Sequence, residues 1–304
     1  MSVKSSRAFG RALSLQWLQS EQAQAYILLL PAVGLVGLLF GGGLVLAFLQ
    51  SVGLLGLVGD RTLSFTAYRA ALGGEFWRSL WLSLYIAIVS TGLSTVLSIG
   101  LALLLRQAGR WASFACQLTL PIPHLVGIAG MLLLISPSGL ISRLLYAIGL
   151  IQSDQQFPLL VNDGANFGVI ILFLWKEIPF ITLILLAVLR GIRPEYESQA
   201  RALGASRWQC FWNITLPLMK SGILSASLIV FGYVFSSFEV PFLLGSTYPL
   251  TLPVLVYQAF THVDLNQRAT AIALGLLLSL ISVLLSALYL WLGSDRAPSR
   301  RLSA

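Results

Sequence analysis

Long apolar stretches alternate with short polar ones along this chain, and each apolar stretch is about as long as a bilayer is thick. Uncharged or nearly uncharged runs extend over Tyr26 to Phe48, Leu80 to Leu105, Ser113 to Ile135, Phe167 to Leu189, Ser221 to Leu243 and Ala269 to Leu292. Each reaches the ~20 residues that a helix needs to cross the hydrocarbon core. The pattern predicts an all-α polytopic membrane protein with about six transmembrane helices. Residues 1–24 are expected as a mildly apolar N-terminal segment, 25–292 as the transmembrane domain and 293–304 as a C-terminal tail.

The longest polar stretch between two spans, residues 190–220, reads RGIRPEYESQARALGASRWQCFWNITLPLMK. Pro194 suits the first position of a helix, where its missing N–H would be unpaired in any case, and Glu195 and Glu197 suit the positive end of the helix dipole. Gly204 can adopt the left-handed conformation that ends a helix, and Ser206 with Gln209 forms a capping box opening the next. The expectation is two short helices joined at Gly204, the second closed by Pro217.

Charge supplies the topology. With the N-terminus inside, Lys4, Arg7, Arg11, Arg106, Arg110, Arg190, Arg193, Arg201, Arg207, Lys220, Arg296, Arg300 and Arg301 fall on the cytoplasmic side. Only Arg61, Arg69, Arg78, Arg143 and Arg268 fall outside. The positive-inside rule then puts both termini and the 190–220 loop in the cytoplasm. The run from Tyr26 reads as a first span and not as a secretory signal, being span-length with no small-residue cleavage site after it. Its Gly37 and Gly41 make a GxxxG, although glycine is common in spans without packing there.

Composition excludes most other classes. The chain is 57% hydrophobic and 10% charged, whereas globular domains carry about 25% charged residues. The net charge of +8 belongs to span ends and lacks the interleaved aromatics of a nucleic-acid surface. Cys116 and Cys210 fall at different membrane levels, so no disulfide is expected. Two histidines, His124 and His262, make no zinc cluster, and His124 reads as a hydrogen-bonded structural residue. No Walker A loop, HExxH or GxSxG elbow is present, so the chain is not expected to hydrolyse ATP.

Charges inside spans are the remaining candidates, because an ionisable group in hydrocarbon needs protein or water to face. Lys176 and Glu177 fall near the middle of the fourth span, followed by Pro179, and Glu239 falls near the outer end of the fifth. Adjacent on one helix, Lys176 and Glu177 point about 100° apart and are expected to face different neighbours. They read equally well as a wall of a transport path or as charges tying helices together. Outside the spans, Leu140, Ile141, Leu144, Leu145 and Ile148 recur with helical spacing, predicting an amphipathic surface helix. Residues 152–166 read as loop.

The 190–220 loop resembles the signature loop of ABC importer permeases, EAA, three residues, Gly, nine residues, Ile, any residue, Leu-Pro. Ala200, Gly204, Ile214, Leu216 and Pro217 fall on that spacing, and Leu203-Gly204-Ala205-Ser206 is similar to its LGAS variant. Ser198 and Gln199 stand where the family has Glu and Ala, with Glu197 one residue away. The WKEIP of span four and SSFEVPFLLG of span five extend the resemblance from about Trp77 to Leu290. It implies a type I ABC importer permease fold in a bacterial inner membrane, pairing with itself or a second permease, with two ATPase subunits and an extracytoplasmic solute-binding protein. It also implies that ATP and Mg bind the ATPase, with no cofactor in this chain, and that the loop, Glu197, Ala200, Gly204, Ala205, Ser206, Ile214, Leu216 and Pro217 included, is the coupling element. The similarity is greatest to permeases for polyamines, iron or small anions. Spermidine or putrescine is the first expectation, with iron, another small anion or a sugar as alternatives. An ion-coupled secondary transporter would use Lys176 and Glu177 but leaves the loop unexplained, and an intramembrane enzyme lacks a nucleophile or metal cluster.

Overall fold

The computed structural model describes residues 21–55, 62–265 and 267–293, and among these it contains helices and no strand. The expected N-terminal segment up to residue 20, Arg61, and the tail beyond Gly293 lie outside the described residues. Six helices are long and apolar enough to cross a membrane. They are α1 (Gln24–Ser51), α3 (Gly74–Gln107), the bent pair α5 (His124–Ile135) and α6 (Leu140–Ala147), α7 (Phe167–Gly191), α9 (Arg207–Ser236) and α12 (Gln267–Gly293). Between them stand α2 (Thr66–Ala71), α4 (Arg110–Gln117), α8 (Pro194–Ala202), α10 (Glu239–Leu244) and α11 (Leu252–Thr261).

The bundle is built around α7. Its most apolar window is 61% buried, against 0% for α1, so the fourth span is the core and the first lies on the outside of this chain. Phe173, Ile181, Leu185 and Leu189 of α7 form one apolar cluster with Met219, Val230 and Phe235 of α9. The α3 helix presents to the interior a stripe of small residues, Ser79, Ser83, Ala87, Ser90, Ser94, Ser98 and Ala102. In lipid, where tails are as apolar as leucine, such a stripe holds helices together by letting backbones approach. One contact along it is polar: Ser98 Oγ donates to the carbonyl of Ile178 at 2.9 Å.

Prolines account for where the helices depart from the sequence pattern. The third span is not continuous over Ser113 to Ile135, because the chain unwinds between Gln117 and His124. Pro121 and Pro123 have no N–H for the helical ladder and clash with the preceding turn. The fifth span ends at Ser236, and Glu239 opens the separate helix α10 with Pro241 in its first turn. A straight continuation would set the Pro241 ring against the Ser237 carbonyl. Glu239 is therefore exposed at a helix start and not inside a span.

Pro217 does the reverse of what its position predicts. It does not close the second loop helix: α9 runs on from Arg207 to Ser236. The turn before the proline, Phe211–Thr215, is π-helical, a wider winding that absorbs a missing ladder bond. The Gly37–Gly41 turn of α1 is also π-helical, and no neighbour lies within 4 Å of either glycine's Cβ direction. Among the described residues that GxxxG packs against nothing. The helix expected at Leu140 to Ile148 is α6, but it belongs to the third membrane-length element, His124–Ala147, and not to a connection outside the spans. Residues 152–166 are loop apart from a short 3-10 turn at Asp154–Gln156.

Candidate functional site

In the loop between α7 and α9, local chemistry sets every bend. Pro194 occupies the first turn of α8, with Arg193 extended before it. At the far end Gly204 has φ +92°. The Gly204 N–H donates to the Arg201 carbonyl and the Ala205 N–H to that of Ala200, both at 3.0 Å. These paired bonds around a left-handed residue form a Schellman motif. The Gln209 N–H then donates to Ser206 Oγ at 3.2 Å, and the Ser206 N–H to Gln209 Oε1 at 2.8 Å, which closes the capping box. The result is a fixed corner whose apolar residues point away from the bundle: Leu203 is 90% exposed and Trp208 67%. Ala200, Ile214 and Pro217 line a groove of about 430 Å³ beside them. Leu216 lies on the other side of α9, against α3.

Glu197 points inward. Its Oε1 accepts from Arg106 Nη1 at 2.5 Å and from Thr215 Oγ1 at 3.1 Å. One carboxylate thus ties the end of α3, the helix α8 and the π turn of α9. Partial burial pushes its pKa upward, but the hydrogen bonds from Arg106 and Thr215 and the charges of Arg106 and Arg201 outweigh that, so it titrates below the usual carboxylate range. Ser198 Oγ bonds only the Glu195 carbonyl. Sequence reasoning took Arg106 as topology alone and overlooked Thr215. The signal was there in an acid and a base at the same membrane level, but nothing in the chain order says that α3 ends beside α8.

At mid-bundle the structure assigns separate duties to the adjacent charges. Lys176 Nζ donates to the carbonyls of Thr119 (2.9 Å), Leu120 (3.3 Å) and Ile122 (2.7 Å). Prolines at 121 and 123 leave that turn short of N–H donors, and the buried ammonium supplies them. Glu177 Oε1 lies 3.9 Å from His124 Nε2, just after the same turn. Both side chains of α7 therefore meet one neighbour, contrary to the 100° argument, because the neighbour is an unwound turn wrapped across the α7 face. The Nε2 of His124 has no hydrogen-bond partner among the described residues. Its ring centroid lies 5.1 Å from that of Tyr233 on α9. Tyr233 went unnoticed in the sequence, since one aromatic in an apolar span carries no pattern. Exposed Glu239 follows where α9 ends. Among the described residues no group of three or more metal-ligating side chains occurs.

A polytopic helical bundle is the fold that the signature spacing implies, and comparison with known proteins agrees. Residues 94–297 match the model of the family described as binding-protein-dependent transport system inner membrane component. The chain belongs to that family. Among its relatives is a probable sulfate transport system permease protein of Zygnema circumcarinatum, 32% identical over 131 residues, 42% of this chain and 45% of the relative. A diacetylchitobiose uptake system permease protein of Streptomyces coelicolor is 26% identical over 279 residues, 87% of this chain and 85% of the relative. Several curated relatives are matched over only about half their length. In fold, the chain superposes on a bacterial ABC transporter that imports alginate with a TM-score of 0.74 and 19% identity, over 98% of this chain and 100% of the other. This inner membrane component is thus a multi-pass protein, with six helices among the described residues long and apolar enough to cross the membrane.

Proposed function

We propose that this permease is one membrane half of an ATP-driven importer, with both termini cytoplasmic, and that the Gly204 corner docks an ATPase subunit. A second permease or a second copy would complete the path, and an extracytoplasmic binding protein would deliver the solute. The observation that carries this reading is the loop corner itself, which holds Leu203 and Trp208 in water by two interlocked caps. Exposed apolar side chains fixed on a rigid turn suit a protein partner. Co-expression with the ATPase of the same transport system tests it: detergent-extracted permease should retain the ATPase, and Leu203→Glu should release it.

The solute path in this reading runs along His124, Tyr233 and Glu239, with Glu177 behind them and Lys176 committed to the turn. These groups offer hydrogen-bond acceptors and donors to a hydroxyl-rich solute, and one relative matched over most of its length is a diacetylchitobiose uptake permease. The sulfate relative supports a second reading, a small oxyanion. The polyamine expectation has no support among these relatives and is not carried forward. Uptake by proteoliposomes carrying the assembled complex separates the two readings. Glu239→Gln removes an acceptor and should slow sugar uptake, whereas removing a negative charge from the path should speed that of an oxyanion.

A further inference from the structure

A groove runs down the outside of α3 from the loop side, and it combines charge and oil in one continuous surface. Its upper part, about 720 Å³, is bounded by Arg106, Arg201 and Arg207 and by Trp208 and Trp212, while its wall on α3 descends through Leu103 and Gly100 to Val96. A second, mostly apolar hollow of about 480 Å³ begins at Val96 and continues between α3, α9 and α12. From Arg106 to Val96 the wall is roughly 15 Å long at 1.5 Å per residue. That is half of the ~30 Å hydrocarbon core, the depth of one leaflet. Val96, where the two hollows meet, is 67% exposed.

We propose that this groove holds one anionic phospholipid of the leaflet on the loop side, its headgroup on Arg201 and Arg207 and an acyl chain along α3. The charges decide the sign of the occupant. Glu197, the acid on this surface, is engaged by Arg106, so Arg201 and Arg207, both exposed, present their positive charge to the groove mouth. Trp212 lines the groove beside these arginines, and a tryptophan with arginines at a bilayer interface is the setting in which an anionic headgroup gains most. The chain's own N-terminal residues 1–20 are a poor occupant, because they carry Lys4, Arg7 and Arg11 and no acid. A free phosphate has no use for an apolar wall one leaflet deep.

Native mass spectrometry of the permease assembled with its ATPase tests this, using phosphatidylglycerol and phosphatidylcholine of identical chains. Phosphatidylglycerol should be retained more strongly, and Arg201→Gln with Arg207→Gln should lower its retention roughly fivefold for each arginine. Gly100 has open space where a Cβ would stand, so Gly100→Leu fills the groove without disturbing the bundle and should lower retention of the lipid. Glycerol 3-phosphate in excess should not displace it. Equal retention of the two lipids, unchanged retention in the arginine double variant or in Gly100→Leu, or displacement by glycerol 3-phosphate would each overturn the proposal. So would loss of all lipid from the assembled complex when the permease alone retains it, since the groove would then be an interface between subunits.

Discussion

Arg106 at the end of α3 and Glu197 in the first turn of α8 form an ion pair with 2.5 Å between Nη1 and Oε1. The two residues are far apart in sequence, and the pair joins the end of α3 to the loop between α7 and α9. Thr215 completes it from α9.

The pair is half exposed to water, with side chains 20% and 31% accessible, so screening limits its contribution to about 1 kcal/mol. Glu197→Gln and Arg106→Gln should each lower the detergent melting temperature slightly, and the double variant should lose no more than the larger single loss. Additive losses would show that the two side chains do not act together.

Acidity gives a second handle on the same carboxylate. Because the folded state lowers the pKa of Glu197 from 4.5, its contribution is fully present above the ordinary carboxylate range and fades as pH falls through the lowered value. The stability difference between the native chain and Glu197→Gln should be constant from pH 6 to pH 8 and shrink below about pH 4.5. A difference that vanishes near neutrality would mean that Glu197 is not held by Arg106 and Thr215.

Lys176 is expected to be structural. Lys176→Met removes a donor that reaches three carbonyls of the Thr119–Ile122 turn, of which that of Thr119 keeps the Ile122 N–H, and orphaned buried acceptors cost about 1–3 kcal/mol. The variant should melt well below the native chain even without ATPase or solute. If Lys176→Met melts normally and loses only transport, the residue belongs to the path.

At Gly204 the backbone conformation, not space, is limiting: φ is +92° and no neighbour stands within 4 Å. A β-branched residue there costs about 1–2 kcal/mol, while Asn tolerates the left-handed region better. Gly204→Val should uncouple uptake in protein shown to reach the membrane, and Gly204→Asn should retain a large part of it. Equal uptake by the native chain and Gly204→Val would contradict the reading of this corner as a fixed docking element.

The six spans, the Gly204 turn and the Ser206–Gln209 box were legible because each rests on local chemistry: span-length apolarity, a residue without Cβ, a side chain reaching three positions on. What was not legible depends on tertiary neighbours. Pro217 alone reads as a helix end, and only the π turn at Phe211–Thr215 shows how the helix passes it. Lys176 and Glu177 seemed bound to diverge because the sequence treats the third span as a straight rod, whereas Pro121 and Pro123 turn it into a loop that both can reach. Glu197 seemed available to a partner because its basic neighbour, Arg106, comes from a different span.

The most direct test is site-specific photocrosslinking in the assembled importer. A photoreactive residue at Leu203, 90% exposed on the loop corner, is compared with one at Val263, 94% exposed beyond the opposite end of α9. Crosslinking of the ATPase subunit from position 203 and not from 263 is the expected result. A crosslink to the ATPase from 263 alone would contradict both the docking role of the Gly204 corner and the topology that puts it in the cytoplasm.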